Sequence, residues 1–274
     1  MSEKQAQKLE VKAYSQWSPY LERCCLLSAN ESYARASEDL QVLTGMAISQ
    51  STQQRLVHRQ TFDLPHGAPA VEEMSVEGGK VRLRTPKGEP SEWRDYKAVN
   101  LHQCCVSAFF QDNSSLVDWV NAQPLSTPLT CLEDGHDGIW NLYGTIGNPT
   151  QRREILDWYH LVENLGKVGG SKQRLDAAEA RLWQGDVKGA IAQFNDWHPE
   201  RVTTFMAYLN KHRHRIVNYG YYQAEGISIG SGAIESTVKQ IGQRIKLSGA
   251  QWKKDNVPQV LFQRTAYLNG QFSK

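Results

Sequence analysis

The chain has 274 residues, 40% of them hydrophobic and 22% charged, and its 31 Lys and Arg against 29 Asp and Glu leave a net charge of +2. This is ordinary globular composition for a sizeable core with one or two accessory modules, and the near-balance excludes nucleic-acid binding through overall charge, so any basic footprint is local. The cysteines, two adjacent pairs (Cys24-Cys25 and Cys104-Cys105) with Cys131 alone, exclude a disulfide framework and a zinc ribbon, and the lack of a bilayer-length apolar run or a signal-peptide core points to a cytosolic protein without membrane partners.

The first sixty or so residues read as helices. "ESYARASEDLQVLTG" places Tyr33, Ala36, Leu40 and Leu43 at helical spacing and stops at Gly45, a C-terminal cap. Ser49 then caps "QSTQQRLVHRQ", which carries Arg55, His58 and Arg59. Two short helices around a glycine turn, the second basic, suggest a helix-turn-helix-like module over residues 1–66, with Arg55 and Arg59 toward DNA; a hairpin that only packs is the alternative. The proline and glycine of "TFDLPHGAPA" mark a linker.

Beyond it "VEEMSVEGGKVRLRTP" alternates apolar and polar residues around Gly78-Gly79 and reads as a hairpin, with "DYKAVNLH" as a third strand. "SSLVDWVNAQ" reads as a short helix and "PLTCLEDG" as a fourth strand that breaks at Asp134-Gly135. "REILDWYHLVENLGKV" begins as a strand and becomes a helix, and residues 171–222 are helical again. The expected fold class is α/β, a mixed five-stranded sheet with helices.

Three acids stand out by context. Glu77 precedes the two glycines, Asp134 lies where the fourth strand ends, and Glu235 heads a late helix. In that helix Ile234, Val238, Ile241 and Ile245 form one apolar stripe, and Glu235, Lys239 and Lys246 form the next stripe, about 100° round. Carboxylates carried by strand ends and a helix into one cleft suit Mg²⁺, or Mn²⁺ as a substitute, and two such ions serve phosphoryl transfer. The bland readings are a helix-start glutamate favouring the dipole and two turn acids.

In order along the chain, "SYARASEDLQVLTG" with "STQQRLVHRQ", "VEGGKVRLRTPKG", "WRDYKAVNL", "LEDGHDGIWNL", "RREILDWYHLVENL" and "IGSGAIESTVKQIGQRIKLSGAQW" resemble bacterial insertion-sequence transposases of the DDE superfamily, ISKra type. The resemblance covers nearly the whole length. It implies an RNase H-like core begun over 67–160, a helical insertion over 161–226, and a final catalytic helix with C-terminal helices over 227–274. It further implies metal-dependent DNA strand cleavage and strand transfer, with Glu77, Asp134 and Glu235 as metal ligands. Partners would be double-stranded DNA at element ends and targets, and further copies of the chain on that DNA, in a nucleoid-associated setting.

Asp157 and His160 match the aspartate-x-x-histidine pair that related transposases place after the fifth strand; at i and i+3 they share a helix face. Their bland reading is a helix cap and a packed side chain. His136 and Asp137 lack a further ligand at zinc spacing. Lys239, Arg244, Lys246 and the cluster Lys211, Arg213 and Arg215 are the candidates for DNA backbone contact, and Trp252 for stacking on an unpaired base or for packing beneath the helix. Two departures from the family pattern stand beside the acids: Glu77 replaces an aspartate, moving its carboxylate by about an ångström, and Glu133 replaces a glycine. They support an alternative, a catalytically weakened copy that binds DNA as an inhibitor or regulator. A hydrolase of small phosphoesters is a third reading.

Overall fold

A computed structural model of the chain describes residues 26–67, 70–197 and 199–272, so Cys24-Cys25 and the stretch before them lie outside the described residues. At the centre is a five-stranded mixed sheet in the order β3-β2-β1-β4-β5. β1 (Val71–Leu83), β2 (Glu92–Leu101) and β3 (Cys105–Phe110) form an antiparallel meander, while β4 (Leu125–Glu133) runs parallel to β1 and β5 (Arg152–Leu156) parallel to β4.

The expected hairpin at Gly78-Gly79 is not there. β1 is one strand of 13 residues that runs straight through both glycines. Gly79 pairs with Tyr96 of β2, and a Cβ at position 79 would overlap the tyrosine ring. The glycine is therefore required by close packing across the sheet. The chain reverses instead around "TPKGEPS", where Gly88 has φ +93°. The strand expected third is thus β2, and β3 is a strand that no alternation marked, because its residues are almost all buried.

Ahead of the sheet, α1 (Tyr33–Thr44) and α2 (Gln50–Arg59) begin at Ser32 and Ser49, whose hydroxyls accept from the Arg35 and Thr52 amides, and α1 stops at Gly45 with φ 73°. α3 (Asn113–Asn121) connects β3 to β4, α4 (Asp137–Tyr143) connects β4 to β5, and α5 (Trp158–Val168) follows β5 directly. Next come α6 (Lys172–Trp183), α7 (Val187–Ala192), α8 (Glu200–His212) and α9 (Tyr219–Ala224). α10 (Gly232–Ile245) and α11 (Val257–Leu268) complete the described chain. Among the described residues, no helix is long and apolar enough to cross a membrane.

The helices sort onto two apolar cores. In one, Met74 and Val76 of β1 meet Leu116 of α3, Tyr143 of α4, Leu161 of α5 and Leu209 of α8. In the other, Val81 and Tyr96 meet Ile234, Ile241 and Ile245 of α10, Leu261 of α11, Tyr33 of α1 and Val57 of α2. The apolar stripe of α10 is therefore a core stripe, as its spacing predicts. α2 and the stretch ahead of α1 are also bound to α11 by hydrogen bonds: Gln259 Nε2 donates to the Val57 and Gln60 carbonyls at 2.7 Å, and Arg264 Nη1 to the Ala29 carbonyl at 3.2 Å.

Candidate active site

β1 pairs with β4 only as far as Ser75, opposite Leu132, whereas it pairs with β2 as far as Leu83. Past Ser75 one edge of β1 is therefore left open by its neighbour. Glu77 lies two residues beyond that parting, and β4 ends beside it at Glu133 with Asp134 immediately after. Across the same gap, α10 delivers Glu235 from its first turn. A cleft of about 440 Å³ forms there, lined by Glu77, Glu133, Asp134, His136, His160 and Glu235 among others. The three expected acids thus come from a strand interior, a strand end and a helix start into one cleft.

Their charges feel one another. Burial, then the nearby carboxylates of Glu235 and Asp134, push the Glu77 carboxyl above the ordinary glutamate range. Its Oε2 is buried without a hydrogen-bond partner. Burial also works against charge on Asp134, but hydrogen bonds from Glu133 and from the His136 amide hold its carboxyl below the usual aspartate range. Glu133 is pushed up to about 9, first by burial and then by its hydrogen bond to Asp134. Glu133 is therefore a neutral acid at pH 7 that donates to Asp134, while its two oxygens accept from the Gly135 and His136 amides at 2.5 and 2.9 Å.

Among the described residues no three His, Cys, Asp or Glu side chains are already drawn together as a metal cage. The donor set nonetheless fits a hard divalent cation. It consists of carboxylate oxygens, and one of them, Glu77 Oε2, is orphaned and buried next to two further acids, which is the surplus of negative charge that such a cation offsets.

Of the expected aspartate and histidine pair, only His160 lines the cleft. Asp157 does not reach it: the residue is 1% exposed, and both of its oxygens are occupied. Oδ1 accepts from the His160 amide at 2.9 Å as the cap of α5, and Oδ2 accepts from the amide and hydroxyl of Ser231. Asp157 is thus the cap of α5 and a tie to the start of α10. Ser231, the N-cap of α10, gives its hydroxyl to Asp157 rather than to the helix. The same approach segment is held a second time, because Glu73 accepts from the Ser228 amide at 3.0 Å and from its hydroxyl at 2.5 Å. Burial opposes charge on Glu73, yet hydrogen bonds from His102 and Ser228 bring its carboxyl down to about 2.

The expected basic residues divide. Arg55, Arg59, Arg213, Lys239 and Lys246 are exposed. Lys239 stands 3.8 Å from Glu235 at the rim of the cleft. Lys211 is half-exposed but paired with Asp137 at 2.6 Å. Arg215 is occupied by Glu154 at 2.8 Å and stacks 4.1 Å above Trp140. Arg244 departs from its expected exposure, and Trp252 takes the packing alternative. Arg244 is 1% exposed, donates to the Ser28 carbonyl at 2.5 Å, and lies between the rings of Tyr33 and Trp252. Trp252 is buried beside it, its Nε1 donating to the Ile245 carbonyl at 3.0 Å. Both serve the second core, since a guanidinium flanked by two aromatic faces is a packing unit with no surface left for a phosphate or a base.

The sequence reading missed several neighbours of the acids. Tyr208 of α8 donates to the Asp134 carbonyl at 3.2 Å, which ties the helical segment to the cleft. Lys80 and Lys97 line the cleft from the strands; once β1 and β2 are paired, strand alternation finds both, because Lys97 lies opposite Gly78. Comparison with protein-family models and with curated proteins finds no match.

Proposed function

We propose that this chain is a metal-dependent DNA transposase of the DDE kind with an RNase H-like core, which nicks a DNA strand and joins the freed 3′-hydroxyl to target DNA by in-line phosphoryl transfer. The observation that carries this reading is the meeting of Glu77, Asp134 and Glu235 in one cleft, where burial and then the other two acids raise the Glu77 carboxyl. The sheet order supports the core assignment, with an antiparallel meander followed by two parallel strands and the acids at the parting of β1 and β4.

The three carboxylates would hold Mg²⁺, or Mn²⁺ in its place, and such ions when bound lower the pKa of water and offset charge on a leaving oxygen. The protein's own groups supply the rest. Glu133 donates to Asp134 and fixes that carboxylate. His160 faces the cleft within reach of the field of Glu77 and Asp134. Asp157 and Glu73 hold the segment that aims Glu235. Lys239 and Lys246 on α10, with Arg213 and the exposed arginines of α2, a helix-turn-helix-like module in this reading, contact the phosphate backbone of double-stranded DNA. Strand transfer at two element ends calls for further copies of the chain on the DNA.

Wild-type protein is expected to cut element-end DNA with Mg²⁺ or Mn²⁺, and Glu235→Gln to cut at least about 100-fold more slowly; equal cleavage by both refutes the reading. A second reading is a weakened, DNA-binding copy that acts as an inhibitor or regulator. It is favoured by the longer Glu77 and by the Glu133 hydrogen bond that occupies Asp134. A sharp rise in cleavage by Glu77→Asp with unchanged end binding would select it.

A further inference from the structure

Beyond Glu77 the paired β1 and β2 present two unlike faces. Gly79, Val81, Leu83 and Tyr96 turn into the second core. On the other face, the pairs Gly78 with Lys97, Lys80 with Asp95 and Arg82 with Trp93 place three cations, one acid and a tryptophan side by side. Trp93 is 47% exposed. An indole exposed among cations on a solvated sheet face offers a flat apolar surface against which another ring can stack. Lys97 Nζ donates to the neutral Asn113 at 2.9 Å and Arg82 Nη2 to the neutral Ser91 at 2.5 Å, so neither charge is cancelled by its partner.

This face is continuous with the cleft of the acids. Lys80, Asp95 and Lys97 line that cleft. A second cavity of about 370 Å³ shares Asp95 and Lys97 with it and continues to Gln111 and Asn113. Along β2, Trp93 stands five residues from Ala98, the partner of Glu77, which is roughly 17 Å at about 3.3 Å per residue. That span is no more than about five nucleotides at 3.4 Å each.

We propose that this face is a platform for single-stranded DNA leading out of the cleft, on which Trp93 stacks against an unpaired base while Lys80, Arg82 and Lys97 hold the flanking phosphates. Cations interleaved with an aromatic are what sequence-tolerant single-strand binding uses, because every base has a π-face and every nucleotide a phosphate. The inference rests on the reading that the cleft acts on DNA, and it adds where the unpaired strand runs.

The test is binding of the full chain to a fluorescently labelled oligothymidylate in EDTA, which requires no cleavage. Trp93→Ala is expected to weaken binding by about 5- to 150-fold, and Trp93→Phe to keep most of the affinity. Lys80→Ala with Lys97→Ala should flatten the slope of log affinity against log salt by about 1.4, or 0.7 for each lost phosphate contact. Oligothymidylate binding unchanged by Trp93→Ala, or lost equally with Trp93→Phe, overturns the platform. The two readings fail separately. If Glu235→Gln abolishes cleavage while Trp93→Ala binds normally, the platform alone falls; if binding needs Trp93 while Glu235→Gln cuts like wild type, the catalytic reading falls and the platform stands.

Discussion

Asp157 Oδ2 accepts two hydrogen bonds from Ser231, one from its amide at 2.5 Å and one from its hydroxyl at 2.6 Å. Asp157 follows β5 and is the N-cap of α5, and Ser231 is the N-cap of α10. Through this pair, the sheet and the helix that carries Glu235 are held in one register.

Asp157→Ala removes a helix cap and both bonds to Ser231, so it is expected to lower folding stability by about 2–4 kcal/mol. Equilibrium urea unfolding measures this. A loss below about 0.5 kcal/mol would show that the bonds contribute nothing. Asp157→Asn keeps a single acceptor oxygen, enough for the His160 amide or for Ser231 but not for both, and it should fall between the two.

Glu133 gives the protein a pH dependence of definite sign. Its folded carboxyl titrates at about 9 against an ordinary 4.5, so between those values the unfolded chain has lost a proton that the folded chain keeps. Stability is full below about pH 4.5 and falls as pH rises through about 9, by at most about 1.4 kcal/mol per pH unit. Glu133→Gln should flatten that decline, as read from denaturation midpoints at pH 5, 7 and 9. Parallel curves for variant and wild type would count against a neutral Glu133.

The mutual repulsion of the cleft acids makes a similar prediction for cations. Glu77, with its raised carboxyl, contributes stability to the metal-free protein that is full below the ordinary glutamate value and is lost as pH rises through its folded one, so Glu77→Gln is expected to flatten that loss. In the wild type, Mg²⁺ at about 100 times its Kd should add about 2.7 kcal/mol. Glu77→Gln and Glu235→Gln should each shrink this gain in a thermal-shift titration. A gain of equal size in all three proteins would place the cation elsewhere.

Gly78 and Gly79 separate a strand from a turn by experiment. A Cβ at 78 meets nothing within 4 Å, whereas one at 79 overlaps the Tyr96 ring. Gly78→Ala should therefore be near neutral or stabilising, and Gly79→Ala should cost roughly 1–3 kcal/mol. Similar effects at both positions would contradict the continuous strand.

The α10 stripe was legible in the sequence because helical periodicity and burial coincide at Ile234, Ile241 and Ile245, and the caps at Ser32, Ser49 and Gly45 announced their helices. The three acids were legible as candidates, but their meeting was not, since it follows from the parting of β1 and β4 after Ser75. Gly79 was misread because a glycine that avoids a neighbouring ring and a glycine that makes a turn look alike along one strand. Arg244 was misread for a similar reason: its charge implies solvent, and only the tertiary placement of Tyr33 and Trp252 on its two sides shows otherwise. β3 was missed because burial on both faces erases the alternation that marks a strand.

The ties of α2 to Gln259 and of the Ala29 carbonyl to Arg264 set an order of events during synthesis. As the ribosome extrudes the chain, the two acids of the sheet emerge well before Gly232–Ile245, and the N-terminal helices must wait longer still for their partners on α11. A growing polypeptide therefore holds an unfinished cleft until Gly232–Ile245 has emerged, and any fragment that stops short of Gly232 lacks the third carboxylate.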